Sequence, residues 1–179
     1  MAATFTPPAA REYAPFYAGY IARVPEGDLE AQLARQHERT RALLAPLSAS
    51  QARHRYAPGK WSVIEVLGHM ADAERVFAYR ALRFARGDET PLAGFDEVSW
   101  VPAGGFERRA LGDLLDEFGA VRKATLALLG GLGPEAVDRG GLANDKPITV
   151  RALAYIIAGH ELHHVAVLRE RYALGDAAR

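Results

Sequence analysis

Four long stretches of the chain carry apolar residues at helical spacing. In the first, Asp28 is a candidate cap and Leu29, Leu33, Leu43, Leu44 and Leu47 follow, which predicts a helix from 28 to 47 with Pro46 in its last turn. The second has the clearest start in the chain. Ser62 and Glu65 form a capping box, and Trp61 and Val66 are placed to pack across it as a hydrophobic staple. Val63, Val66, Leu67, Met70, Phe77, Ala81 and Phe84 then make one face as far as Arg86, with Gly87 as the stop. The third runs from about Glu107 to Leu129 on Leu111, Leu114, Leu115, Phe118, Val121, Leu128 and Leu129, and ends at Gly130-Gly131. The fourth starts at Thr149, with Ile148 and Leu153 as a second staple, and ends near Gly175. Its face is Leu153, Ile156, Ile157, His160, His164 and Leu168.

The rest is punctuation. Residues 1–27 read as an irregular arm with a short helix near Pro15. Ser48 and Gln51 suggest one capped turn. Residues 88–105 are rich in proline and glycine and read as a long irregular connection holding Asp96, Glu97 and Trp100. Residues 132–147 read as a second one. No stretch alternates with period two over a useful length, so no strand is expected. The pattern predicts an all-α fold, a four-helix bundle with long crossover loops, in one domain spanning 1–179 with its core at about 28–175.

Composition narrows the chemistry. With 22 basic and 22 acidic residues the net charge is zero, which argues against a dedicated nucleic-acid surface. The run from Arg35 to Arg41 is interrupted by Glu38 and reads as a solvated face. The absence of cysteine excludes disulfides, thiolate metal sites and a catalytic thiol. No basic start followed by a signal-like apolar core opens the chain, and no apolar run approaches membrane-span length. A cytoplasmic protein without a membrane partner is the expectation.

Against that background the histidines stand out. An isolated histidine on an apolar face is most simply a hydrogen-bonded core residue. His160 and His164 are harder to read that way. Four residues apart on a helix, they share one face. Two neutral imidazoles side by side in a core must each satisfy their polar nitrogens, and one shared metal ion does this for both. A mononuclear site needs at least a third ligand. His69, on the flank of the second helix's apolar face, is the best candidate. His163 lies about 60° to the side of His160 and fits a supporting or surface position. Glu74 falls near the centre of the second helix's apolar face, where a carboxylate is costly unless paired. An arginine of another helix is its expected partner.

One competing motif overlaps the pair. His160-Glu161-Leu162-His163-His164 satisfies H-E-x-x-H, in which the glutamate is the general base of a metalloprotease. The stretch after His164 holds no further histidine and Glu170 as its one glutamate, and the strand that should flank such a cleft has no counterpart. The short pattern therefore carries little weight.

Taken together, Lys60-Trp61-Ser62 opening a helix, His69 and Asp72 within it, Trp100 after a Pro/Gly loop, and His160 with His163-His164 in the last helix resemble the DinB/YfiT-like family of metalloenzymes. The resemblance spans roughly residues 28–175. It implies up-down-down-up connectivity, a homodimer, and a divalent metal, nickel or zinc before manganese or iron. The family's triad maps onto His69, His160 and His164, with coordination positions open to water or substrate. It also implies a small-molecule substrate. Some relatives activate a low-molecular-weight thiol for S-transfer; a related hydrolase is the neighbouring expectation. A metal-binding stress-response or dimerisation module without turnover is the alternative. Asp72, one turn after His69, is the candidate to orient its ring or a bound water in catalysis. Asp96, Glu97 and Trp100 are candidates for the pocket mouth, although ordinary loop roles explain them better.

Overall fold

The computed structural model describes residues 3–175. In chain order the helices are α1 (Ala18–Ile21), α2 (Leu29–Leu44), α3 (Ala49–Ala52), α4 (Val63–Ala85), α5 (Glu97–Gly104), α6 (Leu111–Gly130) and α7 (Val150–Tyr172), with strands β1 (Gly140–Ala143) and β2 (Lys146–Thr149) before α7. The long ones, α2, α4, α6 and α7, form the expected bundle. α4 lies against both α6 and α7, and so does α2. α2 runs opposite to α6: Arg41 pairs with Asp116 at 2.8 Å, while the Leu33 carbonyl, nearer the start of α2, accepts from Arg122 at 2.6 Å. α4 runs opposite to α7: the Tyr172 hydroxyl donates to the Trp61 carbonyl just before α4.

The caps act as their chemistry requires. Asp28 Oδ1 accepts from Ala31 N at 3.0 Å and Thr149 Oγ1 from Ala152 N at 3.1 Å. Glu65 Oε2 accepts from Ser62 N at 2.7 Å. Gly87, at φ +78, follows α4 as the expected stop. α7 ends earlier than expected, at Tyr172, with Ala173 rather than Gly175 as its left-handed cap.

Three expectations need correction. The connection before α7 is not irregular throughout, and the chain is not free of strands. Gly140–Ala143 and Lys146–Thr149 pair antiparallel around Asn144-Asp145, both at positive φ. Strands of four residues containing Gly140, Gly141 and Pro147 are too short to show alternation. The Asn-Asp turn was the readable signal. The 88–105 connection, likewise, contains α5, capped by Asp96 Oδ1 accepting from Val98 N at 3.0 Å. Pro102 and Gly104 hide it, and little of it is buried. Leu92 then bonds to the hairpin edge through Leu142 O and Asn144 N. Loop, α5 and hairpin thus lie along α4, the hairpin against Phe84 near its end and Val101 of α5 in the cluster with Val63–Ala71 at its start.

The core divides into two apolar clusters. One joins Leu29 and Leu33 to Phe77–Ala85, Leu129 and Val150–Ala158; the other joins Leu44 to Val63–Ala71, Leu114–Phe118, Leu168 and Tyr172. Each fully buried leucine or phenylalanine contributes on the order of 2 kcal/mol. Between the clusters, at the same level of all four long helices, sit the polar residues described next. The N-terminal arm joins the first cluster through Phe5 and Ile21. Glu12 ties it down by accepting from Thr149 Oγ1 at 2.9 Å and Arg151 Nε at 3.1 Å. No helix is long and apolar enough to cross a membrane among the described residues.

Candidate metal centre

His69 comes from α4, His160 and His164 from α7. The antiparallel contact of these helices brings the three rings together: His69 and His160 are buried, His164 partly so. His160 Nε2 lies 3.1 Å from His69 Nε2 and 3.1 Å from His164 Nε2. One donor nitrogen from each ring falls within 4.8 Å of the others. A neutral imidazole nitrogen offers either one hydrogen or one lone pair. His160 Nε2 therefore cannot satisfy both neighbours at full strength. Three lone pairs aimed at a common cation remove the conflict. Ligands bound at about 2.0–2.1 Å in tetrahedral geometry sit roughly 3.3 Å apart, close to the spacing here. The donor set and its spacing fit a divalent ion.

Burial keeps these rings neutral. Desolvation, then the charge of His163, lowers the His69 pKa from 6.5 to about 4. His160 and His164 are pushed well below the ordinary value, first by burial and then by neighbouring histidines. Neutral imidazole is the ligating form.

Aromatic rings enclose the group. Trp61 lies 4.9 Å from the His69 ring, Phe77 5.8 Å from His160, and Tyr20 5.4 Å from His160 and 5.2 Å from His163. Tyr20 comes this close because α1 presses on α7 at Gly159. A Cβ there would stand 2.0 Å from the Tyr20 carbonyl oxygen. Gly159→Ala is accordingly expected to push α1 outward at a cost of about 1–3 kcal/mol, read as a lowered midpoint of thermal unfolding.

On the adjoining face of α7, reached through Glu161, is a buried ionic network. Arg122 of α6, 1% exposed, donates Nε to Glu74 Oε1 at 2.9 Å and Nη2 to Glu74 Oε2 at 2.7 Å. It also donates to Glu161 Oε2 at 2.7 Å, while Glu161 Oε1 accepts from Thr40 Oγ1 at 2.6 Å. Glu74 thus has its arginine. Glu161, the would-be base of the H-E-x-x-H pattern, is fully engaged away from the histidines. Arg122 was not singled out in the sequence. Its one signal was an arginine continuing the buried stripe of Phe118, Thr125 and Leu129.

A cavity of about 340 Å³ opens beside His69 and His160. Tyr17, Tyr20, Phe77 and Phe95 supply apolar wall; Arg80, Glu97, Asn144 and Lys146 supply polar groups. Of the three residues considered for the mouth, Glu97 lines the cavity, Trp100 packs on Phe95 at 5.1 Å, and Asp96 caps α5. His163 contacts Tyr20 and His164 from outside the trio. Asp72, the candidate to orient the His69 ring or a bound water, accepts from Arg75 Nη1 at 3.1 Å.

No curated protein sequence matches the chain. Among solved structures it is similar to YfiT from Bacillus subtilis, described as a probable metal-dependent hydrolase with an unusual four-helix bundle topology. The TM-score is 0.72 at 23% identity, covering 79% of this chain and 82% of that one. At that identity the likeness establishes the fold. A family model for the DinB superfamily matches residues 32–168, a span running from α2 into the last turns of α7 and containing all three histidines; the chain belongs to the DinB superfamily.

Proposed function

We propose that this chain is a metal-dependent hydrolase of a small-molecule substrate, with His69, His160 and His164 holding one divalent ion. The observation that carries this reading is the convergence of three neutral Nε2 atoms, those of His69 and His160 buried, beside a cavity that His69 and His160 line. Imidazole donors suit zinc or nickel, then iron. A divalent ion held there would supply Lewis-acid activation of water beside the cavity. Three protein ligands leave a coordination position for substrate or water, the mark of a catalytic site. Trp61 and Phe77 fix the rings by packing, while Tyr17, Tyr20 and Phe95 exclude bulk water and hold the apolar part of a substrate. Asp72 has no part in this reading, because its carboxylate is held by Arg75. Glu161 is unavailable as a protease-type base.

The test is elemental mass spectrometry on protein purified without a metal-binding tag, beside His160→Ala. The expected result is about one zinc or nickel per chain, lost in the variant, with ester or amide hydrolysis lost in parallel. The same panel run with a low-molecular-weight thiol distinguishes S-transfer from hydrolysis. Metal retained without turnover would indicate a binding module instead. A chain that stays empty after incubation with zinc, nickel or manganese would overturn the proposal.

A further inference from the structure

Arg80 is the residue the metal site leaves unexplained. It is 2% exposed, yet lines the cavity. Its Nη2 donates to the Ala93 carbonyl at 2.8 Å, and its guanidinium carbon lies 5.8 Å from the Phe95 ring centroid. Among the described residues no carboxylate forms an ion pair with it. The contrast with Arg122 is direct: that buried arginine has two glutamates. Arginine cannot shed its charge, and a guanidinium carries five N–H donors in a planar fork. A buried cation with one carbonyl and one ring for company lacks a counter-charge.

Position says what would supply one. Arg80 follows His69 by eleven residues on α4, which places it about 20° away around the helix and about 16 Å along it. The two line one cavity. Between them the wall is apolar: Phe95 contacts Phe77 at 6.3 Å, and Phe77 contacts His160 at 5.8 Å. Lys146, exposed, adds a second positive charge to the lining; Glu97, also exposed, is its one acidic member.

We propose that the cavity takes a small carboxylate-bearing molecule with an apolar body, and that Arg80 binds its anionic end while the body lies along Phe77 and Phe95 toward the histidines. This names the substrate class of the site proposed above and rests on that reading for its chemistry, but not for its binding. A planar guanidinium fork pairs with a carboxylate through two charge-assisted hydrogen bonds. The apolar wall suits an aryl or alkyl body.

The experiment is calorimetric titration of the full chain with phenylacetate and with phenylacetamide, in EDTA and again with zinc, for wild type, Arg80→Lys and Arg80→Gln. In EDTA the wild type is expected to bind phenylacetate at least about tenfold more tightly than the amide, the scale of one charge-assisted interaction. The preference should shrink in Arg80→Lys and vanish in Arg80→Gln. Equal binding of the two probes, no binding of phenylacetate at millimolar concentration, or a preference unchanged in Arg80→Gln overturns the proposal. A preference seen only with zinc and indifferent to Arg80→Gln also overturns it, leaving the metal site intact. The expected result in EDTA from a chain that holds no metal would retain the anion site while the hydrolase reading fails. Should Arg80→Gln not fold, a crystal structure of the wild-type phenylacetate complex decides: the carboxylate on the Arg80 guanidinium supports the assignment, and any other placement refutes it.

Discussion

Arg122→Met is expected to be among the most destabilising single substitutions in this chain, at about 3–5 kcal/mol. The reason is what it leaves behind. Glu74 and Glu161, 3% and 2% exposed, would face each other in the core with their shared guanidinium gone. Only the Thr40 hydroxyl would still hold Glu161. Against a typical total of about 5–15 kcal/mol, that loss removes at least about a fifth of the stability. Urea unfolding at pH 7 measures it. The companion variant is Glu74→Leu/Arg122→Met/Glu161→Leu. Removing the whole network leaves no orphaned charge, so much of the loss should return, because well-packed apolar replacements of buried ion pairs are often neutral or better. A single Arg122→Met costing under about 1 kcal/mol would mean that Glu161 takes up a proton at neutral pH. Burial, which already raises the Glu161 pKa against the pull of Arg122 and Thr40, would then dominate outright. The network also bears on the neighbouring site. One guanidinium and two carboxylates leave one surplus negative charge, carried partly by the residue next to His160. Three neutral imidazoles backed by that charge form a better environment for a cation than the imidazoles alone.

How much of this was legible beforehand depended on which interaction set each position. The four long helices were readable because their apolar stripes, caps and stops agree with one another. Ser62 with Glu65, Asp28 and Thr149 all mark real starts. The histidine trio was readable because His160 and His164 continue an apolar stripe, and buried imidazoles need a shared solution. Structure inside the connections was not readable from apolar periodicity. α5 is short, interrupted by proline, and packed on few neighbours. The hairpin is held by its Asn144-Asp145 turn and by Leu92 pairing across from a distant loop, a contact no local pattern encodes. Asp72 shows the limit of spacing arguments. Three residues after His69 is the right reach, but Arg75 stands three residues beyond Asp72 on the same helix and Glu117 faces Arg75 from α6. The competing ion pairs decide where the carboxylate goes. Arg122 and Arg80 were missed for the opposite reason. Each is a charge within a helix, and only the packing of other helices and loops reveals that one is paired and the other is not.

The metal-free protein is expected to lose stability as pH falls below about 6.5, and the bound ion should protect it. The sign follows from the direction of the shifts. An unfolded chain protonates its histidines near 6.5, whereas burial holds His69 unprotonated down to about 4. Between those values the unfolded state binds more protons than the folded state, so acidification favours unfolding. Stability contributed by the neutral rings is complete above the unfolded pKa and is lost as pH drops toward the folded one. For His69 alone, a gap from 6.5 to about 4 corresponds to roughly 3 kcal/mol. His160 and His164, lowered in the same direction, steepen the loss, although charging one ring makes the next harder to charge. Urea midpoints of the EDTA-treated protein at pH 7.5, 6, 5 and 4.5 test this, beside His69→Gln, which keeps a polar side chain but cannot take up the proton. The wild-type curve should fall and the variant's should fall less. With zinc in excess the wild-type curve should stay flatter, because ion and proton compete for the same nitrogens and the ion binds only the folded arrangement. Identical pH dependence in wild type and His69→Gln would show that the imidazole is already solvated in the folded chain. That would remove the burial on which the neutral three-nitrogen site depends.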